Sequence, residues 1–175
     1  MERTFGVAIG VPQPWGAELD AHRAATGDPA APLIPAHVTL LGPTMLPVSA
    51  SLDDEIDELL TSVGAAHDPF AIHLRGTGTF RPISQVVFVV VAAGIAECEQ
   101  LAKSVRSGPL RRDLTYPYHP HVTVAHDVPE PAMDEVYERL GHYSAHFDVD
   151  RFTLYEHGSD GRWKPIRDYR LGFAA

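Results

Sequence analysis

A single cysteine, Cys98, stands in 175 residues. One thiol excludes an intrachain disulfide framework and a thiolate metal cluster. Its place beside Ala96 and Leu101, in a segment with helical spacing, predicts packing rather than reactivity. Basic charge is also scarce: 14 Lys and Arg face 23 Asp and Glu, for a formal net charge of −9. Long nucleic acids are held largely through neutralised phosphates. The deficit therefore argues against a broad nucleic-acid groove and directs any phosphate ligand toward a small nucleotide or the end of a short strand. Local basic clusters remain at Arg111-Arg112 and from Arg162 through Lys164 to Arg167 and Arg170. Long apolar runs are missing too. The longest, Val86 to Ile95, falls well short of the roughly 20 residues that span a bilayer, and Met1-Glu2-Arg3-Thr4 opens no secretory leader. A cytoplasmic location is the expectation.

What is present is enough for one core. Hydrophobic residues make up 45% of the chain, which suits a single domain over residues 1–175. The first half reads strand, helix, strand, helix, strand: Thr4 to Val11, Gly16 to Ala25, Ala36 to Leu41, a helix from an N-cap at Ser51, and Phe70 to Leu74. Gly42-Pro43 is expected to close the third of these, and Gly76-Thr77-Gly78-Thr79 to form a loop. The second half repeats the order: Val86 to Val91, Ile95 to Val105, His121 to Ala125, Asp134 to Leu140, and His146 to Asp150. Thr4 matches Gln85, His37 matches His121 and Phe70 matches Phe147 at nearly constant offset, giving repeat halves of about 1–80 and 81–175. A terminal hairpin, Phe152 to Tyr155 against Ile166 to Leu171, turns through Gly158-Ser159-Asp160-Gly161. A tandem duplication folds with a pseudo-two-fold axis, which would set the second strand of one half opposite its counterpart.

Those two counterpart strands carry the chemistry. His37-Val38-Thr39-Leu40 and His121-Val122-Thr123-Val124 share a His-x-Thr pattern followed by an apolar residue. Side chains alternate along a strand, so each motif puts an imidazole and a hydroxyl on one face and two apolar anchors on the other. One such motif arises easily by chance on any edge strand; two at matched places in a duplication do not. Histidine, with an unperturbed pKa near 6.5, can act as general acid in one copy and general base in the other. Threonine hydroxyls can bind the oxygens on which charge accumulates. The set suits attack at the phosphorus of a phosphodiester and requires neither a metal nor another cofactor.

With these residues the chain resembles the 2H phosphoesterase superfamily, especially its 2′-5′ RNA ligase-like branch, over essentially its whole length. The resemblance implies a bilobal α+β protein, its duplicated β-α-β-α-β units forming antiparallel sheets around a central cleft. It also implies hydrolysis of 2′,3′-cyclic phosphate, or of a 2′-5′ linkage, on RNA ends or nucleotides. By it His37 would protonate the leaving 3′-oxygen, His121 would activate water, and Thr39 and Thr123 would hold the phosphate. The chain departs from better-studied members in having His126 after Ala125, where an arginine is common, and Leu41-Gly42-Pro43 after the first motif. RNA-end specificity is thereby less secure than the chemistry. A small cyclic nucleotide derivative, such as a cyclic phosphate of ADP-ribose, and a non-catalytic module binding nucleotides or RNA ends are the competing readings. Phe80, Arg81, Tyr118 and Tyr155 are candidates for substrate contact, with Tyr116 and Arg162 behind them. His119, His121 and His126 lack the parity and the nearby carboxylate of a metal site, so none is expected. The expected partner is a nucleotide or short RNA end, and the expected state a monomer.

Overall fold

The structure is a computed structural model, and it describes residues 1–172. Two four-stranded antiparallel sheets carry it. The first contains β1 (Glu2–Gly10), β2 (His37–Pro47), β7 (Arg151–His157) and β8 (Trp163–Arg170), in the order β2-β1-β7-β8. The second contains β3 (Phe70–Thr79), β4 (Val86–Ala93), β5 (His121–His126) and β6 (Ser144–Val149), in the order β5-β4-β3-β6. The helices among the described residues are α1 (Trp15–Ala25), α2 (Ala50–Ala66), α3 (Ile95–Val105) and α4 (Glu130–Arg139), with a short 3₁₀ turn at Gly108–Leu110. The fold is thus α+β with two lobes, as the resemblance implies.

The sheets do not follow the sequence halves. β3 turns back at once through 80–85 and pairs with β4, while β7 and β8 return to pair with β1 and each other. Position for position, β1 corresponds to β4, β2 to β5, β7 to β3 and β8 to β6. The match of Phe70 with Phe147 is therefore corrected: their strands are neighbours in one sheet, with Ile72 opposite Phe147. Both motif strands lie at sheet edges and approach one another across the lobes. Each is flanked by the helix that precedes the other, α3 against β2 and α1 against β5.

Two segments read as chain breaks are bulged strand. β2 continues through Gly42-Pro43, because Phe5 pairs with Thr44 while Val7 pairs with Leu41, leaving one extra residue in β2. An edge strand tolerates a proline there, and the bulge accommodates the surplus residue. β3 likewise continues through Gly76 to Thr79: Leu74 faces Val91 and Thr77 faces Val89. Gly76, at φ +69°, takes the left-handed conformation the bulge demands. The cap of α2 is Ser49 rather than Ser51; its hydroxyl accepts from the Leu52 amide at 3.4 Å. α4 begins earlier than expected, with Pro131 in its first turn, where a missing N–H costs nothing. Behind the motifs Val38, Leu40, Val122 and Val124 are fully buried in the core. Cys98 is buried on α3, and burial pushes its thiol up to about 12.

Candidate active site

The alternation that buries the valines leaves His37, Thr39, His121 and Thr123 half-buried on the opposite face. Both imidazoles are held by the same device. His37 Nδ1 lies 2.8 Å from the carbonyl of Pro35, and His121 Nδ1 lies 2.6 Å from the carbonyl of His119. A carbonyl can only accept, so each Nδ1 keeps its hydrogen in either charge state and each Nε2 is the nitrogen left to exchange a proton. Among the described residues neither threonine hydroxyl has a protein hydrogen-bond partner.

Burial disfavours the charged form of both rings. Burial lowers His37 to about 4, the hydrogen bond to the Pro35 carbonyl opposes this, and repulsion from Arg23, and from His121 and His157 when protonated, reinforces it. Arg23 itself is buried and paired at 2.8 Å with buried Asp28. Asp28 also accepts from the Ala30 amide, fixing the start of the loop that leads into β2. His121 is lowered as well, by burial, which the hydrogen bond to the His119 carbonyl opposes and repulsion from the His119 ring reinforces.

The ring surroundings of the two histidines differ. His37 meets Trp163 at 4.4 Å between centroids, and Trp163 stacks on His157 at 4.3 Å and 23°. Beneath them β1 supplies a floor of small residues: Gly10 lies opposite His37, Ala8 opposite both Thr39 and Thr153, and Gly6 opposite Tyr155. On the other lobe His121 is enclosed by Phe80 at 5.0 Å and Phe88 at 5.2 Å, with His119 edge-on to Phe80. Gly78 makes room for this cage, since a Cβ there would sit 2.6 Å from the Phe88 ring.

The profile of the 2′-5′ RNA ligase superfamily matches residues 11–161. The chain belongs to that superfamily. A Bacillus cereus protein named “putative phosphoesterase” is 28% identical over 147 residues, covering 83% of this chain and 84% of that one. Among solved structures, Escherichia coli LigT complexed with 3′-AMP superposes with a TM-score of 0.71 at 24% identity, over 99% of this chain and 100% of that one. TT0787 of Thermus thermophilus gives 0.70 at 22% identity, over 99% and 100%. At these identities the two structures speak for the fold alone.

Of the substrate-contact candidates in this 2′-5′ RNA ligase superfamily chain, Phe80 stands nearest the chemistry, against His121. Arg81 is engaged elsewhere: its Nε donates to Thr79 Oγ1 at 3.1 Å and its Nη1 to Asp134 at 2.8 Å. Tyr118 does not present its hydroxyl to the cleft. It donates to the Thr39 carbonyl at 2.7 Å, so the second half props the first motif from behind. Tyr155 is buried on β7 beside Trp163, with its hydroxyl over Gly10. Tyr116 is exposed. Of the basic clusters, Arg112 donates to the Pro43 carbonyl and Arg167 pairs with Asp57. Among the described residues no three His, Cys, Asp or Glu side chains gather at metal-binding distance, and no helix is long and apolar enough to cross a membrane.

Trp163, His157 and Phe88 were not singled out from the sequence. Phe88 looked like one more apolar residue of a buried strand. Trp163 lay outside the expected limits of β8, whose observed start places it opposite His157. The alternation of Gly6, Ala8 and Gly10 with Val7 and Ile9 was the available signal: small residues on one face of a central strand leave space above them.

Proposed function

We propose that this protein is a metal-independent phosphodiesterase that opens a 2′,3′-cyclic phosphate, or a related 2′-5′ linkage, on a nucleotide or a short RNA end. The observation that carries the reading is the duplicated Nδ1–H···O=C bond, which fixes both imidazoles and leaves both Nε2 atoms for proton exchange on strands that approach each other. The base takes a proton from water as its oxygen attacks phosphorus. The P–O3′ bond breaks, and the acid delivers a proton to the departing 3′-oxygen, giving a 2′-phosphate. The division carried over from the resemblance makes His37 the acid and His121 the base. Burial disfavours the imidazolium at both sites, so the acid takes up its proton alongside the anionic substrate, whose charge offsets the cost of burying an imidazolium. Thr39 and Thr123 donate to the non-bridging oxygens as charge builds there. Both motifs come from one chain, so the reading needs no second subunit.

The net charge of −9 favours small substrates, which keeps a cyclic phosphate of an ADP-ribose-like nucleotide as the second reading. A purely binding module has no use for two imidazoles whose exchangeable nitrogens are both left open. Assays in strong chelator against a panel of cyclic nucleotides and RNA ends, with the phosphate position of the product resolved, test the proposal. Activity should survive chelation, and His37→Ala and His121→Ala should each lower kcat by about 10²–10⁴. Loss of activity in chelator with recovery on added zinc or manganese refutes it, as does near-parental turnover by either folded variant.

A further inference from the structure

The loop that carries Pro35 into the first motif borders a second feature. Between α1, residues 27–36 and the start of β8 lies an open pocket of about 570 Å³, within the size range of small-molecule sites. Its wall includes Leu33 and Pro35 from the loop, Ala24 and Asp20 from α1, and Arg162 and Trp163 from the terminal hairpin. Two of these reach the catalytic histidine directly: Pro35 accepts its Nδ1–H and Trp163 packs on its ring. The pocket therefore shares two of its walls with the surroundings of His37. The hairpin is fastened to the loop by the Trp163 amide donating to the Leu33 carbonyl at 3.1 Å. That bond keeps the two walls at a fixed separation.

The lining has the chemistry of a nucleoside site. Trp163 and the aliphatic Leu33, Pro35 and Ala24 offer apolar surface for a base, and stacking on an aromatic is indifferent to base identity. Arg162 stands exposed and forms no salt bridge among the described residues, with the Asp160 carboxylate, which accepts from its backbone N–H, as the acidic group its charge acts on. In a chain of net charge −9, it is a cation at the mouth of a pocket that adjoins a phosphate site. Asp20 spends one oxygen on the Ala36 amide at 2.8 Å. Its carboxylate retains acceptor capacity for the N–H edge of a base.

We propose that this pocket receives the nucleoside attached to the scissile phosphate, with the base against Trp163 and Leu33, its N–H edge toward Asp20 and an adjoining phosphate or ribose at Arg162. The proposal rests on the phosphodiesterase reading above and adds where the rest of the substrate goes. Selectivity for nucleotides over other cyclic phosphodiesters then comes from α1 and the terminal hairpin, not from the two motifs.

Ala24→Phe tests it without touching either His-x-Thr motif. Ala24 is exposed on α1, so the variant should fold, while its ring occupies the pocket. Steady-state kinetics compare a nucleoside 2′,3′-cyclic phosphate with glycerol 1,2-cyclic phosphate, which has the same reacting ring and no base. Ala24→Phe should raise KM for the nucleoside substrate about tenfold, the scale of one stacked base, and leave kinetics on the glycerol compound unchanged. Arg162→Ala should act in the same direction. Equal effects on both compounds, or none on either, overturn the pocket assignment. Turnover of neither compound by the parent protein refutes the phosphodiesterase reading instead. Calorimetry of 3′-AMP against inorganic phosphate then decides the pocket: it stands if Ala24→Phe weakens 3′-AMP alone and falls if both or neither weaken.

Discussion

Acidification offers a direct measure of how strongly the fold insists on a neutral His37. The unfolded imidazole titrates near 6.5, whereas the folded one is held at about 4. Between those values the unfolded chain binds a proton that the folded chain refuses, so stability is retained above 6.5 and declines as pH falls through the window. One group contributes at most about 1.4 kcal/mol per pH unit, or roughly 2 kcal/mol between pH 6.5 and pH 5. The ring is half-buried, so solvent screening reduces this to about 1 kcal/mol. Burial also lowers His22, His121 and His157, which adds to the slope with the same sign. The assay is urea unfolding at pH 7 and pH 5 for the parent protein and for His37→Gln, whose amide does not titrate. The parent should lose about 1 kcal/mol more than the variant over that interval. An NMR titration of the ring should place the His37 midpoint well below that of an unfolded histidine, and a bound nucleotide phosphate should move it up. Identical pH dependence in parent and variant, with an unshifted ring titration, would refute the claim that the cleft excludes the imidazolium.

Thr39→Val and Thr123→Val keep the β-branched shape and remove only the hydroxyl, so each should cost roughly 2–4 kcal/mol in kcat/KM with little change in unfolding midpoint; full activity in both would displace the phosphate from between the motifs. Tyr118→Phe removes the bond to the Thr39 carbonyl and should lower unfolding free energy by about 1 kcal/mol, with a larger loss of kcat than any change in KM. Gly78→Ala forces a methyl group against Phe88 and should destabilise by about 1–3 kcal/mol. It should also disturb His121 through the displaced ring, visible as a shifted His121 resonance, and an unchanged spectrum would argue against the aromatic cage.

The motif faces were legible in the sequence because each histidine and threonine is followed by a residue that is buried. Val38, Leu40, Val122 and Val124 leave the polar positions only one face to occupy. α3 was legible to its limits, Ile95–Val105, because its apolar spacing coincides with its buried side, Cys98, Leu101, Ala102 and Val105. Gly42-Pro43 and Gly76 to Thr79 were not, since a local reading takes glycine and proline as breaks. What keeps those residues in strands is the register of β1 and β4, which no local window contains. Tyr118 and Trp163 illustrate the same limit for function. Each looks like a loop or hairpin aromatic in sequence, and each gains its role from a contact with the first motif, which lies far away along the chain.

That distance bears on how the cleft is built. If each half closed its own sheet, the two imidazoles would be related only by side chains packed between independent units. Instead β3 leaves the first half to pair with β4, and β7 leaves the second to pair with β1, so continuous backbone ladders cross between the halves in both sheets. α1 and α3 cross in the same sense, each flanking the motif strand of the other half. The residues around His37 accordingly come from both ends of the chain: Gly10 from β1, Arg23 from α1, Trp163 from β8. Acid–base catalysis by two fixed groups depends on their separation, and small misplacements are expensive. Exchanging strands builds each sheet from both halves, so the two sheets whose edge strands carry the motifs are tied together by the chain itself. A duplicated chain with a strong local hairpin at β3–β4 reaches this arrangement without a second subunit.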